Sequence, residues 1–386
     1  MRAGRIASAV LISLALVAAA MLGAIWWRHG GGAPFPTHEL GKPLLDESAL
    51  EVVADLDLPP GNIAVSKSGR VFFTFHPEGR PTVKVAELVD GKPVPYPDAA
   101  FQSERSDAPW FDTPLSLRID RQDRLWVLDY GSHGTGTPRL GAFDLATNRL
   151  VHEFEFPSDV AGLGSMLNDF QVSPDGSRVY IADASIFRNS GAIVVYDIEG
   201  RKARRLLDGH PSVQAERYVT QVQGRDMVIL GIFGIFAVRP NVDSIALDRR
   251  GEWLYFAAVA TDELYRVRVK DLDDESLSPD ELASRVETYA EKTESDGITT
   301  DADRVYLSDP GNDAVHAIGP DRKLVTLLAT PRLRWPDGFS FGPEGWLYVT
   351  ASSLHHVIFM GEDHIREHAP YQIFRFRPGA EAPAGH

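Results

Sequence analysis

Cysteine is absent from the 386-residue chain, so disulfide frameworks and thiolate sites for zinc or iron–sulfur clusters are excluded. Basic side chains are too few to balance the acidic ones, because 39 Lys and Arg stand against 54 Asp and Glu and the formal charge is −15. That excess repels phosphate backbones and anionic lipid headgroups. We therefore expect no binding of nucleic acid, and contact with a membrane through the N-terminal segment only.

Helical periodicity is scarce. Beyond the amino terminus it is convincing only in residues 279–289, where we predict a short amphipathic helix. The glycine-rich residues 131–136 lie between two strand patterns and are interpreted as a loop, not as a phosphate-binding turn that opens a helix. Residues 338–342 match G-x-S-x-G, but they lie inside a strand pattern, which argues against a serine hydrolase. A set of α/β domains therefore describes this sequence poorly.

The amino terminus contains a long uncharged run. Residues 6–27 are 22 uncharged residues behind Arg2 and Arg5, and about 20 suffice for a helix that crosses a bilayer core. We interpret residues 1–28 as a signal anchor or a signal peptide and residues 29–45 as a linker. We favour the uncleaved anchor in the cytoplasmic membrane, because residues 21–27 stay apolar beyond the small residues 18–20. The arginines would remain cytoplasmic, so the rest of the chain is expected to be periplasmic or extracellular.

A strand-pair pattern with a polar start and an aromatic-rich second strand recurs along the rest of the chain. Its six copies begin at Gly61, Leu115, Asn168, Asp243, Asp296 and Asp337. Successive starts are 54, 53, 75, 53 and 41 residues apart, close to the roughly 40–50 residues of a propeller blade except at one long insertion. The sequence therefore predicts an all-β fold, a six-bladed β-propeller, over residues 46–386.

The last copy of the pattern lacks one strand. After its second strand only residues 371–377 have a clear strand pattern, whereas residues 50–56 form a spare strand pattern ahead of the first copy. Pairing these two segments would complete the sixth blade and leave no open sheet edge. We therefore predict that an N-terminal strand closes the last blade.

The inner strands of a propeller start at one end of the central channel, so polar residues at those starts should converge. We predict that a small-molecule ligand contacts Asn62, Asn168, Asp169, Asp243, Asp296 and Asp337. Carboxylate and amide oxygens also suit Ca²⁺ or another divalent cation, and the candidate metal ligands are Asn168, Asp243, Asp296 and Asp337. The alternative is that these Asx side chains only cap the turns before the strands.

Loops at the channel mouth carry candidate catalytic and binding side chains. His133 and His355 follow the second strands of blades 2 and 6, and a neutral imidazole can abstract a proton near pH 7. We interpret both as candidate catalytic residues, with solvated loop histidines as the alternative. Trp110 precedes blade 2 and is expected to contact an aromatic ligand.

Several segments resemble the major royal jelly protein and Yellow family. They include TPRLGAFDLATNRLVHEFEFP (137–157), SDGITTD (295–301) and RWPDGFSFGPEGWLYVT (334–350), and the P-R-L-x-x-F-D-L-x-T-N-x-L stretch is the most specific. The resemblance is to the bacterial branch, whose members are described as related to dopachrome tautomerase, and it covers about residues 60–377. It implies a six-bladed propeller and a choice of activities, because one fold supports several functions.

The resemblance implies three functions for a propeller that binds a small aromatic or polar metabolite in its channel. Dopachrome-converting relatives imply an isomerase that acts next to a carbonyl. Amine-binding relatives imply a non-enzymatic protein that binds amines or other metabolites. The gluconolactonase group is similar in its Asx residues and divalent ion and implies a metal-dependent lactonase, although this chain has Gly61 and Asn62 where that group uses a glutamate.

Overall fold

A computed structural model describes residues 2–104, 109–229, 234–380, 382 and 385. Six four-stranded antiparallel sheets make up most of it. Five of them pair consecutive strands from the channel outwards, and the sixth takes its outer strand from the N-terminal side of the chain. Inner strands of neighbouring sheets contact one another around the whole ring, with blade 6 against blade 1. The predicted six-bladed β-propeller is therefore confirmed.

Strand bounds follow the repeat closely. From the channel outwards, blade 1 consists of Pro60–Val65, Val71–Phe75, Val85–Val89 and Lys92–Pro95. Blade 2 consists of Pro114–Ile119, Arg124–Asp129, Arg139–Asp144 and Arg149–Glu155. Blade 3 consists of Leu167–Val172, Arg178–Asp183, Ala192–Asp197 and Lys202–Leu206. Blade 4 consists of Val242–Leu247, Trp253–Ala258, Glu263–Arg268 and Glu287–Glu291. Blade 5 consists of Ile298–Thr300, Val305–Asp309, Ala314–Ile318 and Leu324–Ala329. Blade 6 consists of Pro336–Phe341, Leu347–Ala351, Tyr371–Phe376 and Glu51–Leu56.

Helices are few and mostly short. The α-helices are Arg2–His29, Gly131–Gly134, Val269–Asp273, Pro279–Ala283 and Glu362–Glu367. The 3₁₀ turns are Glu47–Ala49, Pro77–Gly79, Ala99–Gln102, Pro211–Val213, Pro343–Gly345 and Leu354–His356. The long insertion between blades 3 and 4 contains two-residue strands at Tyr218–Val219, Gln221–Val222, Arg225–Asp226, Val228–Ile229 and Phe236–Ala237. Its residues 230–233 lie outside the described part of the chain.

An N-terminal strand closes the last blade, as the sequence predicts. Glu51–Leu56 pairs antiparallel with Tyr371–Phe376, and the register places Glu51 opposite Arg375. The Arg375 guanidinium donates to Glu51 Oε2 over 2.8 and 3.0 Å across that pair. Residues more than 300 positions apart therefore share one sheet, and Tyr371–Phe376 is paired on both sides.

Large aromatic and aliphatic side chains fill the spaces between blades. Between blades 1 and 2, Phe72, Tyr96 and Phe143 are buried, and Tyr96 packs edge-on against both phenylalanine rings. Each fully buried side chain of this size contributes about 1.5–3 kcal/mol through the hydrophobic effect. Such packing makes the ring a rigid support for loops at the channel mouth.

The N-terminal helix is long and apolar enough to cross a membrane by length and composition, and its apolar side chains are exposed. Residues 29–45, the predicted linker, lie against the propeller at both ends. Arg239 donates to the backbone oxygen of His29 at 2.9 Å, and Ala33 pairs with Tyr218 of the insertion. Leu45 donates its amide to the backbone oxygen of Leu327 at 2.9 Å.

Residues 279–289 differ from the expected single helix. A helix forms only over Pro279–Ala283, where Ser278 and Glu281 make reciprocal capping hydrogen bonds. The rest of the segment turns into Glu287–Glu291, the outer strand of blade 4, which pairs with Glu263–Arg268. The fourth strand of a blade offers a full set of backbone hydrogen bonds, and this tertiary pairing overrides the local helical pattern.

Candidate functional site

A cavity of about 120 Å³ opens where the inner strands begin. Six of its lining residues are the polar residues that the sequence predicts, and we call them the channel floor: Asn62, Asn168, Asp169, Asp243, Asp296 and Asp337. Loops supply apolar and aromatic side chains above them, including Met166, Phe187, Val238, Trp335, Leu354, Ile358 and Phe359. The cavity therefore combines an acidic floor with an apolar wall.

Backbone irregularities at the inner-strand starts position the channel floor. The pairing of inner and second strands shifts register between Pro60 and Ile63 in blade 1, and similar shifts occur at the inner-strand starts of blades 2, 3, 4 and 6. A bulge of this kind redirects a side chain out of the normal alternation. Neighbouring inner strands also approach each other closely, which brings the floor side chains together. A Cβ atom added to Gly338 would lie only 2.8 Å from Asn62 Cα.

Hydroxyl groups on second strands hold the inner-strand starts in place. Thr74 Oγ1 accepts from the Asn62 amide at 3.0 Å and donates to the Leu115 carbonyl of the next blade at 2.6 Å. Ser308 and Thr350 occupy matching positions in blades 5 and 6 and accept from inner-strand amides at 2.7 and 2.9 Å. Sequence reasoning missed these residues, although a small hydroxyl side chain recurs there in an otherwise apolar strand.

The floor residues of blades 1 to 3 form a charge-balanced network around Asp169. Its Oδ1 accepts from Asn62 Nδ2 at 2.6 Å and from Ser116 Oγ at 2.8 Å, and its Oδ2 lies 3.4 Å from Arg118 Nη2. Arg118 Nη1 also donates to Asn62 Oδ1. Burial raises the pKa of Asp169, and the Arg118 guanidinium opposes that rise. This network ties three blades together.

Arg118 is a site residue that sequence reasoning missed. It is only 3 % exposed, although it lies in the inner strand of blade 2. A signal was present, because the aligned positions of the other blades hold the uncharged residues Ala64, Gln171, Ala246, Thr299 and Ser340. A single arginine at a buried repeat position requires an acidic partner, since an unpaired buried charge is strongly unfavourable.

The floor residues of blades 4 to 6 have no comparable cation. Asp243 accepts from Asn168 Nδ2, and Asp296 accepts from Trp335 Nε1 at 2.5 Å. Within the described part of the chain, no basic side chain lies within 4.0 Å of the Asp243, Asp296 or Asp337 carboxylates. Burial raises the pKa of all three, and the Asp296 charge raises the pKa of Asp243 and Asp337 further, while the Arg118 guanidinium opposes the rise at Asp337. These carboxylates form the electronegative side of the cavity.

His133 lies at the cavity wall. It belongs to the helical turn Gly131–Gly134, where Ser132 and His133 have φ angles of 48° and 57°. Its ring packs against Tyr130 and, edge-on at 4.8 Å, against Phe187. Burial lowers the pKa of His133, so its imidazole is neutral at pH 7. Its Nδ1 has no hydrogen-bond partner among the described residues, which leaves this atom available to a ligand.

His355 and Trp110 do not line the cavity. The His355 ring is 1 % exposed and stacks 6.3 Å from Trp335, behind the wall, because the turn Leu354–His356 directs Leu354 to the cavity instead. Trp110 lies in a separate crevice between blades 1 and 2, with Lys84 Nζ 5.2 Å from its ring centroid. Neither side chain therefore lines the cavity in this structure, and the catalytic role of His355 and the ligand contact of Trp110 stay predictions.

A family model described as major royal jelly protein matches residues 113–323, more than half of the chain. The chain belongs to the major royal jelly protein family. Major royal jelly protein 1 of Apis mellifera is 28 % identical over 198 residues, which are 47 % of this chain and 42 % of that protein. Protein yellow of Drosophila subobscura is 26 % identical over 217 residues, 51 % of this chain and 36 % of that protein. The chain thus spans about two fifths of the length of the curated relatives it matches.

Solved structures similar to this royal jelly family member share its fold at low sequence identity. A calcium-binding regucalcin of Agrobacterium tumefaciens has a TM-score of 0.52 at 17 % identity and covers 92 % of this chain and 97 % of its own. A luciferin-regenerating enzyme has a TM-score of 0.55 at 11 % identity over 87 % and 97 % of the two chains. A gluconolactonase-like protein has a TM-score of 0.54 at 14 % identity over 93 % and 100 %. At these identities the likeness is one of fold.

The royal jelly family match includes blades 2 to 4 and the first three strands of blade 5, and therefore much of the channel floor. Arg118, Asp169, Asp243 and Asp296 lie inside the matched residues 113–323, whereas Asp337 lies outside them. The resemblance that the sequence motifs indicate is thus confirmed.

Proposed function

We propose that this royal jelly family member binds a small organic cation, an amine carried on an aromatic or branched apolar body. The observation behind the proposal is the set of three buried carboxylates in blades 4 to 6 without a basic partner, beneath an apolar wall. A buried carboxylate without a counter-ion is destabilising, and a ligand ammonium group would offset that penalty. The ligand supplies the charge that blades 1 to 3 obtain from Arg118.

The cavity dimensions suit a ligand with one ring. An apolar cavity of about 150 Å³ accommodates benzene, and the 120 Å³ cavity here is open to solvent on one side. With its ammonium group at Asp243 and Asp337, the ligand body would lie among Phe187, Leu354 and Trp335. Aromatic rings also attract a nearby cation through their π faces, which adds to the preference for an amine.

Three probes of equal size test the proposal. Phenethylamine, phenethyl alcohol and phenylacetate share the aromatic body and are cationic, neutral and anionic at pH 7. In calorimetric titration we expect phenethylamine to bind at least tenfold more tightly than the alcohol and phenylacetate to bind least. Equal affinities for the amine and the alcohol would contradict the proposal, because charge recognition would then be absent.

An isomerase is the second candidate, because a neutral imidazole and a carboxyl group of raised pKa both line the cavity. His133 is unprotonated at pH 7, and the raised pKa of Asp243 favours a carboxyl that keeps its proton. The imidazole would remove a proton from the carbon next to a carbonyl, while Asp243 gives its proton to the carbonyl oxygen. The imidazolium would then protonate a different carbon of the conjugated enol, while the enol hydroxyl returns its proton to Asp243. His133 and Asp243 both regain their starting protonation states, so the net reaction is a tautomerisation.

Dopachrome tautomerisation, followed by absorbance, tests the isomerase proposal. We expect turnover with the wild-type protein and loss of at least tenfold in His133→Ala, with His355→Ala as the matched control because its ring lies outside the cavity. Unchanged turnover in His133→Ala would contradict this role. Probe binding without any turnover would leave the amine-binding proposal as the function.

Ca²⁺ is an alternative occupant of the floor. Three carboxylates and the Asn168 amide are donor types that suit this ion. Across the described residues, however, the three carboxylates are not within 4.8 Å of one another, so Asp243, Asp296 and Asp337 would have to rotate inward to hold it. When bound, the ion would polarise a substrate carbonyl such as that of a lactone. Lactone hydrolysis that disappears with chelator and returns with Ca²⁺ would support this function, and chelator-resistant hydrolysis would contradict it.

We also propose that residues 6–27 anchor the propeller to the cytoplasmic membrane and leave it periplasmic or extracellular. The length and hydropathy of the helix Arg2–His29 support this location. Sizing of the mature protein in a membrane fraction tests it. A soluble product shorter by about 2 kDa would contradict the anchor and favour a cleaved signal peptide.

A further inference from the structure

The connection between the second and third strands of blade 6 brings three histidines together outside the channel floor. His356, His364 and His368 each offer one imidazole nitrogen, and these three nitrogens lie within 4.8 Å of one another. Among His, Cys, Asp and Glu of the described residues, this is the one group of three that meets this distance. We propose that the three histidines bind a divalent transition metal, with Zn²⁺ as the ion that best fits nitrogen ligands of this kind.

Local chain geometry produces the cluster. His364 and His368 are four residues apart at the helix Glu362–Glu367 and its C-cap, so one helical turn places their rings on one face, 4.2 Å apart by centroid. His356 ends the 3₁₀ turn Leu354–His356, and its ring stacks 3.7 Å from that of His368. Two separate turns of the connection therefore bring three imidazole nitrogens within 4.8 Å of one another.

The nitrogen spacing matches a tetrahedral zinc site. Zn–N bonds are about 2.0–2.1 Å long, and a tetrahedral angle between two of them separates the nitrogens by about 3.3–3.4 Å. His356 Nδ1 lies 3.3 Å from His364 Nε2. A metal ion can therefore bridge these two atoms with little movement of either ring.

A backbone contact fixes the third imidazole. His368 Nδ1 lies 2.7 Å from the His364 carbonyl oxygen, and because a carbonyl only accepts, Nδ1 carries the proton. The Nε2 atom of His368 then keeps its lone pair and is free for a metal. Metal-bound histidines usually donate their second nitrogen in this way, which sets both the tautomer and the ring orientation.

Protonation and local charge are compatible with the site. Burial, followed by the His368 charge, lowers the pKa of His356 to about 4, and the same two causes lower the pKa of His364, so both rings are neutral at pH 7. Three charged side chains act on these rings: Arg225 and Arg334 lower the pKa of His356, and for His364 Arg225 lowers and Glu367 raises the pKa. The helix that holds His364 also carries Glu362, Asp363 and Arg366. Arg225 and Arg334 donate to backbone oxygens, of His355 and His368 respectively, and not to ring nitrogens.

Three protein ligands leave the fourth position of a tetrahedral ion open to water or another ligand. The connection that the ion would fix also carries Leu354, Ile358 and Phe359, which form part of the cavity wall. Metal binding would therefore crosslink this wall segment to the helix Glu362–Glu367. The proposal rests on the histidine geometry and is independent of the ligand in the channel.

Titration of the metal-free full-length protein with Zn²⁺ tests the site. We expect one saturable site, and we expect His364→Gln and His368→Gln each to weaken binding at least tenfold. His152→Gln is the matched control, because His152 lies on the outer strand of blade 2 and bonds Tyr196 at 2.9 Å, and it should bind Zn²⁺ like wild type. Asp243→Asn should also leave Zn²⁺ binding unchanged, which separates this site from the channel floor.

Co²⁺ provides a second readout that requires no variant. A tetrahedral nitrogen site should give strong visible absorption bands with Co²⁺ in the wild-type protein, and Zn²⁺ should remove them. Absence of saturable Zn²⁺ binding, absence of those bands, or wild-type affinity in both histidine variants would each overturn the proposal.

Discussion

The two halves of the channel floor solve the problem of buried charge differently. In blades 1 to 3, Asp169 receives hydrogen bonds from Asn62 and Ser116 and pairs with Arg118. In blades 4 to 6, Asp243 and Asp337 have no basic partner within 4.0 Å in the described structure, and burial together with the Asp296 charge raises the pKa of each. One half contains a direct ion pair, whereas the carboxylates of the other half have none, and Arg118 only opposes the raised pKa of Asp337 from beyond 4.0 Å.

This difference indicates which half supports the fold and which half meets a ligand. Removing one member of a buried ion pair is destabilising, because the remaining charge is left without compensation. A ligand cation that binds next to unpaired carboxylates stabilises the protein instead, because it compensates their charge. Substitutions in blades 1 to 3 should therefore affect stability first, and substitutions in blades 4 to 6 should affect ligand binding first.

The largest expected effect is that of Arg118→Gln on stability. It leaves Asp169 buried without its cation, and we expect a loss of about 3–5 kcal/mol in the free energy of unfolding, measured by urea denaturation at pH 7. The double variant Arg118→Gln with Asp169→Asn should recover part of that loss. A single variant as stable as wild type would remove the distinction between the two halves.

A smaller loss is expected for Trp335→Phe in the other half. This change keeps the aromatic packing but removes the Nε1 hydrogen bond of 2.5 Å to Asp296. Hydrogen bonds to charged groups contribute about 1.5–3 kcal/mol, so thermal unfolding should shift down by a corresponding amount. Trp346→Phe is a suitable control, because the arginines over the Trp346 ring lie on the outer face of blade 6. Equal effects of both changes would contradict a specific role for the Asp296 contact.

The smallest effect is a gain in stability for Asp337→Asn that depends on pH. The pKa of Asp337 in the folded protein is raised above its ordinary value of 3.8. The folded state therefore favours the protonated carboxyl, and the stability gained in this way is fully present below pH 3.8. It is lost as the pH rises through the folded pKa. We expect the variant to melt about as high as wild type at pH 4 and higher at pH 8. Asp90→Asn, in an exposed turn of blade 1, should show no such difference. A variant that is less stable at pH 8 would show that Asp337 is already paired.

The sequence predicted the ring and the floor because both depend on a repeat. Strand alternation and a period near 50 residues determine six blades, and the spare strand at residues 50–56 has one open sheet edge to complete. Polar residues at matching repeat positions must then meet on the axis. The contacts among them could not be predicted, since the Arg118 pair with Asp169 joins different blades.

Features outside the repeat were harder to predict. Residues 279–289 have a helical pattern, but the second part of this segment forms the fourth strand of blade 4 instead of a helix. The mouth loops do not repeat, so nothing in the pattern fixes whether Trp110 or His355 points to the cavity. The H-x₃-H spacing of His364 and His368 was a visible signal for the histidine cluster, but the approach of His356 depends on the fold of the connection.

The most direct measurement compares phenethylamine and phenethyl alcohol binding in two double variants. In Asp243→Asn with Asp337→Asn the affinity ratio of amine to alcohol should fall toward one, because two of the three carboxylates that recognise the charge are gone. In Arg118→Gln with Asp169→Asn, which keeps the Asp243, Asp296 and Asp337 carboxylates, the amine should keep at least a tenfold preference. A preference that survives the first pair of substitutions, or disappears with the second, would contradict the assignment of ligand recognition to blades 4 to 6.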